Sequence, residues 1–543
     1  MALQTYDIKN ILENFEFLGH KPSESVLNKC LALCNKYAIN EEDFVDMWAA
    51  FAITHLKGAA PCIESLQSFE RRELSKPVQK ATDILHHPLP LLPSQSVAPS
   101  TPKAVNKIPI LSDEISLSPS VSQAIQYSSR EHAGKVILSH GTNKNYVCCM
   151  QAVAVKQHSD SGELLTSDVR YMYESMGRKV TSLASITTSV ANCIFKQHNL
   201  QMPERYIRDG QGDEFLYGRI ICDSEGKLNK ASVMLELPRG SFSPGDAIPM
   251  NLTQMPSYSL YPGQIVVTEG LIVRGQINVA KIYPGVDEIP RQKPVLKENL
   301  QIMTACGPYT LNNNLLYEPL QDLLKVVLEK LPHVLILTGP FMDVDHDLIA
   351  NGFTEDYEKF FNSLVESIML PLAGTKTTVV FVASHKDVFH HVVYPTPPFE
   401  LKHQYSNMIC VPDPCVLDIE GVLVGITTAD IVFHIAKQDL CWPSGLSDRM
   451  SRICRHVLSQ QHFYPLYPPD KTMSVDHELL ERFGMFEKVP HVMILPSCFK
   501  HFIKNVNGCT VVNPEKLVKG MSGGTYARLN ISTKDTTCEI IQI

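Results

Sequence analysis

The chain has 543 residues, too many for one core, so two or three domains joined by linkers are expected. A hydrophobic share of 44% and a charged share of 20% are those of an ordinary globular protein. The net charge of −8 argues against a chain whose main task is to grip nucleic-acid phosphates.

The 15 cysteines include no Cys-x-x-Cys pair, and spacings such as Cys30/Cys34 and Cys410/Cys415 fit no zinc module. They are expected to be reduced thiols of the cytosol or nucleus. The opening MALQTYDIKN has no basic segment followed by an apolar run, so no signal peptide is evident. No apolar stretch reaches the ~18 residues that cross a bilayer, so a soluble intracellular protein with no membrane contact is expected.

Residues 1–75 read as an all-α domain. Val26, Leu27, Cys30, Leu31 and Cys34 recur at helical spacing, and Phe44, Trp48 and Phe51 do so again. Cys30 and Cys34 share that apolar face, which points to core packing rather than redox work. Residues 76–130 change character: eight prolines fall between Lys76 and Ser120 among many Ser and Thr, the composition of a flexible linker. Thr101-Pro102 and Ser118-Pro119 are candidate sites for a proline-directed kinase, which would add negative charge to the tether.

Residues 131–204 hold short strand-like runs (KVIL, YVCCM) and resist assignment. The stretch FLYGRIICDSEGKLNKASVMLEL is a hairpin signal around Asp223, Gly226 and Asn229. GQIVVTEGLIVRGQINVAKIY adds short strands broken by Gly270 and Gly275, so residues 205–292 are expected to form a small β-barrel of the OB type.

From Gln301 the period switches. QIMTAC, HVLILT, TTVVFVA, GVLVGIT, HVMIL and CTVVN are all-apolar strands, alternating with helices such as LYEPLQDLLKVVLEK. That pattern predicts, over residues 296–543, a largely parallel sheet covered by helices. Thr354 is expected to cap one helix, and Ser447 another that runs from Asp448 to Gln460.

Ligands of an open α/β sheet bind beyond the carboxyl ends of its strands. The strand ends here run into Gly307-Pro308-Tyr309, Gly339-Pro340-Phe341-Met342-Asp343, Ser384-His385-Lys386-Asp387 and Pro496-Ser497-Cys498-Phe499. Metal-assisted phosphoester hydrolysis needs carboxylates and imidazoles at such tips. Only Asp343, His385 and Asp387 qualify, beside a weak cysteine. His390-His391 tempts a metal reading, but adjacent side chains of a strand point oppositely.

On this layout the C-terminal half resembles calcineurin-like phosphoesterases. Their motifs Asp-x-His, Gly-Asp-x-x-Asp, Gly-Asn-His-Asp/Glu and Gly-His-x-His each come after a strand. Matched position by position, the first has become Gly307-Pro308-Tyr309, and the second keeps Asp343 with Pro340 in place of the bridging acid. The third retains His385 or Asp387, the register being ambiguous by one residue, and the last is Pro496-Ser497-Cys498-Phe499. Two divalent ions ~3.5–4 Å apart repel by about 18 kcal/mol at an effective dielectric of 20. Without the bridging carboxylate that repulsion is not offset, so the resemblance implies a degenerate phosphoesterase with no catalytic residues, no metal and no cofactor, a weak single-metal site at Asp343 and His385 being the open alternative.

The strings ACGPYT, LTGPFMD, VVYPTPPF, TTADIVFH, SDRMSRICRHVLSQQHFYPLYPP, VNPEKLVKG and GGTYARL, with YPGQIVVTEG in the barrel, are similar to signatures of the B subunits of replicative DNA polymerases, most closely the alpha branch. The likeness is strong over about 205–543 and one of layout before that. It implies an accessory subunit of the DNA polymerase alpha–primase complex, placed in the nucleus. The implied partners are the zinc-bearing C-terminal domain of the catalytic subunit, the primase subunits within the complex, and other replication factors met through the N-terminal helices. DNA would be reached indirectly, through the complex.

Prolines and aromatics such as Tyr394, Pro397, Phe399, Tyr464 and Tyr467 are candidate interface material, with packing inside the chain itself as the open alternative. Residues 213–285 carry six Lys/Arg against seven Asp/Glu, a net of −1, so the barrel lacks the field that single-stranded DNA binding needs, although its aromatics could stack on bases. Competing readings are a divergent phosphodiesterase or exonuclease using Asp343, His385 and Asp387, and a B subunit of another replicative polymerase.

Overall fold

The structure, a computed structural model, describes residues 7–74 except 19, 38 and 57–59, and residues 127–543 except 142–145, 147–150, 204–213, 225, 239–246 and 444–447. Thr101, Ser118 and nearly all of the segment read as a linker lie outside the described residues.

Helices Ile8–Phe17, Glu24–Tyr37, Glu41–Leu56 and Ile63–Phe69 pack around Phe15, Phe44, Trp48 and Phe69, all buried. Asp7 caps the first by accepting the Lys9 N–H, and Glu41, Glu42 and Asp43 sit at the positive end of the third. Cys30 and Cys34 lie in this core, where burial pushes both thiols up to about 12.

The segment 131–204, opaque as sequence, stitches the body together. Strand Val136–His140 pairs with the strand Thr536–Gln542, and Val155–His158 pairs with Cys415–Ile419. Helix Met176–Gln197, capped by Ser175, buries Ile186, Val190 and Ile194 against barrel residues Tyr217, Ile265 and Val267. The barrel is closed, in the order Glu214–Cys222, Val233–Glu236, Ala247–Asn251, Gln276–Tyr283, Ile265–Val273. Ala247–Asn251 and Gln276–Tyr283 run parallel, and the other pairs antiparallel.

The C-terminal domain corrects the expectation of one continuous sheet. Leu300–Cys306, Val334–Thr338, Thr378–Val382 and Met408–Val411 are parallel neighbours in one sheet. Val422–Ile426, Val492–Ile494 and Cys509–Asn513 are parallel neighbours in a second. The two sheets face each other through Ile302, Ile336 and Val380 on one side and Leu417, Val424 and Ile494 on the other. Helices Glu318–Lys330 and Tyr357–Leu372 cover the outer face of the first sheet, and Ile431–Ala436 and Arg449–Ser459 that of the second. A strand between a sheet and a helix is as apolar as one between two helices, so the run of Val, Ile and Leu does not tell the arrangements apart.

Two caps also move. Asp356, not Thr354, caps Tyr357–Leu372 by accepting the Lys359 N–H. Asp448 caps Arg449–Ser459 by accepting the Ser451 N–H, and Ser447, the expected cap, lies outside the described residues. The carboxylate is the stronger acceptor at a positive helix end.

The barrel is fixed to the α/β domain by matched polar contacts. Gln460 is buried, donates to the carbonyls of Ile265 and Pro284 at 2.9 Å, and accepts the Ile265 N–H at 2.7 Å. Tyr258–Leu260 forms a two-stranded ribbon with Leu440–Trp442.

Candidate functional site

The loops after the first three strands of the first sheet converge, and their tips are filled by their own side chains and backbone. Tyr309 is fully buried and stacks on Phe341 at 5.0 Å. Its hydroxyl lies 2.9 Å from the carbonyls of both Ala305 and Thr338, and shares its proton between them. Gly307 is needed because a Cβ there would lie 2.9 Å from the Pro340 carbonyl carbon and nearer still to its oxygen. At Gly339 a Cβ would meet Asp387 Oδ2 and Ser384 Cβ at 2.6 Å. The loops at 307 and 340 therefore close on each other.

Asp343 and Asp387 meet across an isolated β-bridge, but they do different work. Asp343 is half-buried and accepts the Asp345 N–H at 3.1 Å, a turn-capping role. Asp387 is buried and accepts the N–H groups of Phe341 at 2.6 Å and Met342 at 2.8 Å, so it holds the 340–342 turn in place. Burial pushes its carboxyl from 3.8 up to about 8, against those two hydrogen bonds. His385 is buried with neither ring nitrogen partnered, and burial lowers it to about 4, so the ring is neutral. Among the described residues no group of three or more His, Cys, Asp or Glu is placed to hold a metal ion.

These groups give the chain a pH signature. Between 3.8 and about 8 the folded protein keeps a proton on Asp387 that the unfolded chain has lost, so stability falls as pH rises through that range. His385 acts oppositely between about 4 and 6.5, where the unfolded chain holds the extra proton, and is silent above 6.5. From pH 6.5 to about 8 the Asp387 effect, up to about 1.4 kcal/mol per pH unit, stands clear of His385. Urea unfolding of Asp387→Asn across that window should show the slope removed; an unchanged slope would mean that the carboxyl is ionised in the fold.

The fourth loop lies at the second sheet. Pro496 is partly exposed, the Ser497 N–H donates to Asn513 Oδ1 at 3.0 Å, and the Cys498 N–H donates to Asp430 Oδ2 at 2.7 Å. Burial raises the Cys498 thiol well above its ordinary range. Asp430 also caps Ile431–Ala436 through the Phe433 N–H. Sequence reasoning passed over Asp430, although an Asp before the apolar run IVFHIA is a helix-start signal.

The aromatic candidates need correction. Tyr394, Pro397, Phe399 and Tyr464 are buried inside the chain, Tyr394 and Tyr464 in one core and Phe399 in another. Tyr394 hydrogen-bonds Thr427 at 3.1 Å, and Tyr464 pairs with His434 at 3.0 Å. Their rings are spent on internal packing. Tyr467 is half-buried at the barrel seam, with the Arg219 guanidinium 5.0 Å from its ring centre. His390 and His391 lie outside any strand; His390 Nε2 bonds the Pro397 carbonyl at 2.6 Å and His391 Nδ1 the Tyr171 hydroxyl at 2.9 Å.

Known families match parts of the helical domain, the barrel and the α/β domain. Residues 9–76 match the family model for the N-terminal region of the DNA polymerase alpha B subunit, and 183–285 match that for its OB domain. Residues 302–504 match the model shared by the B subunits of DNA polymerases alpha and epsilon. The OB match begins inside helix Met176–Gln197, ahead of the boundary expected at 205. The chain is 32% identical to the rat DNA polymerase alpha B subunit, covering 97% of this chain and 96% of the relative. For the Drosophila melanogaster protein of the same name the identity is 30%, with 96% of each chain covered. For that of Saccharomyces cerevisiae it is 25%, over 60% of this chain and 54% of the relative. With near-complete coverage at 32% identity, and family-model matches in the helical, barrel and α/β domains, the chain belongs to the family of DNA polymerase alpha B subunits.

Proposed function

We propose that this chain is a non-catalytic accessory subunit of the DNA polymerase alpha–primase complex. Its barrel and phosphoesterase-like domain hold the zinc-bearing C-terminal domain of the catalytic subunit, next to the primase subunits, and it works in the nucleus. The N-terminal helices give other replication factors a handle, and DNA is reached through the complex. The observation that carries the non-catalytic reading is the plugged loop cluster. Tyr309 and the Gly307–Pro340 contact fill the tips where a two-metal centre would open, and Asp387 is turned onto backbone N–H groups. Membership of the family supports the accessory role, and the matches at 9–76 and 183–285 favour the alpha branch over another polymerase.

The test is co-purification. The full chain should be retained by the zinc-loaded C-terminal domain of an alpha catalytic subunit and not by that of another replicative polymerase. The same preparation should cleave no phosphodiester with manganese present. Absence of retention would sink the scaffold reading, and manganese-dependent cleavage lost on Asp343→Ala would restore the enzymatic one.

A further inference from the structure

The helix Glu41–Leu56 presents three acids on one face, and each meets a cation outside the helical domain. Asp46 pairs with Arg449, and Glu42 Oε1 lies 3.0 Å from Arg449 Nε, off the line that a hydrogen bond needs. Asp43 pairs with Lys227. Arg449 opens the helix Arg449–Ser459 of the α/β domain, whereas Lys227 belongs to the barrel hairpin. The acidic face thus bridges the two bodies. Ala49, one turn further on, is buried in the core of the α/β domain.

Two features mark this contact as detachable. The helical domain has its own core of Phe15, Phe44, Trp48 and Phe69, so it does not depend on the body for burial. The apolar part of the dock is small, chiefly Ala49 with Leu18 packed beside it. Asp46 is buried with Oδ1 unpartnered, and burial raises its carboxyl to about 6. An ion pair taken out of water without full hydrogen bonding gains little net stability. A face dominated by charge, incompletely satisfied, can seat and leave.

We infer that the N-terminal helices dock reversibly, as an acidic plug, on a cationic surface shared by the barrel and the α/β domain. While docked, Asp46 is buried and Glu42 and Asp43 are half-covered, so a basic partner surface that reads this face must first displace Arg449 and Lys227. That regulatory consequence rests on the reading of the helices as a recruitment module; the docking itself does not.

The experiment is zero-length carbodiimide cross-linking of the full chain, with the Asp43–Lys227 peptide pair quantified by mass spectrometry. The yield should be high at about 0.05 M salt and fall steeply at about 1 M, where the screening length is only ~3 Å. Arg449→Glu should cut the yield at least about tenfold, as losing one side of a buried charge pair does. Combining Arg449→Glu with Glu42→Gln and Asp46→Arg should restore it. Circular dichroism reports whether each variant folds, and the restoring combination decides even if a single variant is damaged. A salt-insensitive yield, an unchanged yield in Arg449→Glu, or no recovery in the combination would overturn the docking. Because no partner is present, this outcome is independent of whether the complex forms.

Discussion

A Tyr309→Ala variant is expected to lose about 3–5 kcal/mol of stability, as fully buried aromatic side chains do when truncated. The ring is completely buried, stacks on Phe341 and sits in the core lined by Met303, Leu335 and Phe381. Its hydroxyl serves the carbonyls of Ala305 and Thr338, the ends of two neighbouring strands. Tyr309→Phe isolates that part and should cost about 1–2 kcal/mol. Equilibrium dialysis of the alanine variant against Mn²⁺ should show no stoichiometric uptake, because emptying the space supplies no ligand. A loss under about 1 kcal/mol would mean that the plug is not structural. Two bound ions would mean that the Tyr309 ring, and not the choice of side chains at the loop tips, had kept metal out.

The second large effect is expected at Gly263. Its φ is +96°, and a Cβ there would lie 2.6 Å from the Pro465 carbonyl oxygen and 2.9 Å from the Leu466 carbonyl carbon. The Tyr467 N–H donates to the Pro262 carbonyl at 3.2 Å across the same point. Gly263→Ala should therefore destabilise by about 2–5 kcal/mol, from left-handed strain together with overpacking against backbone that cannot yield. The loss should be selective, with the barrel and the α/β domain ceasing to unfold as one unit. Two separated calorimetric transitions would show this, and a single transition at the wild-type temperature would refute it.

How much of this was legible depends on the range of the interactions. Helical spacing identified the core of the N-terminal helices, because the residues that share a face lie three or four apart. Short alternating runs with Gly turns identified the barrel, since each hairpin is closed by neighbours in the chain. The residues after each apolar strand could be named for the same reason. Prolines and a tyrosine at three of those positions already argued against a metal centre. The role of Tyr309 there could not be read: its partner Phe341 comes from another loop, and the Asp387 that holds that loop comes from a third.

The sequence by itself determined the chemistry on offer: which strands end in carboxylates or imidazoles and which in rings and imino acids, and how little net charge the barrel carries. These are local properties, set by a few consecutive residues and their intrinsic preferences. Only the tertiary structure decided what those groups touch. It turned Tyr394 and Tyr464 inward, brought YPGQ against FYPLYPP at the barrel seam, and laid Asp46 on Arg449. Such pairings join residues far apart in the chain, where closeness comes from packing two sheets, a barrel and a helical domain around shared apolar surface, and no local pattern encodes it.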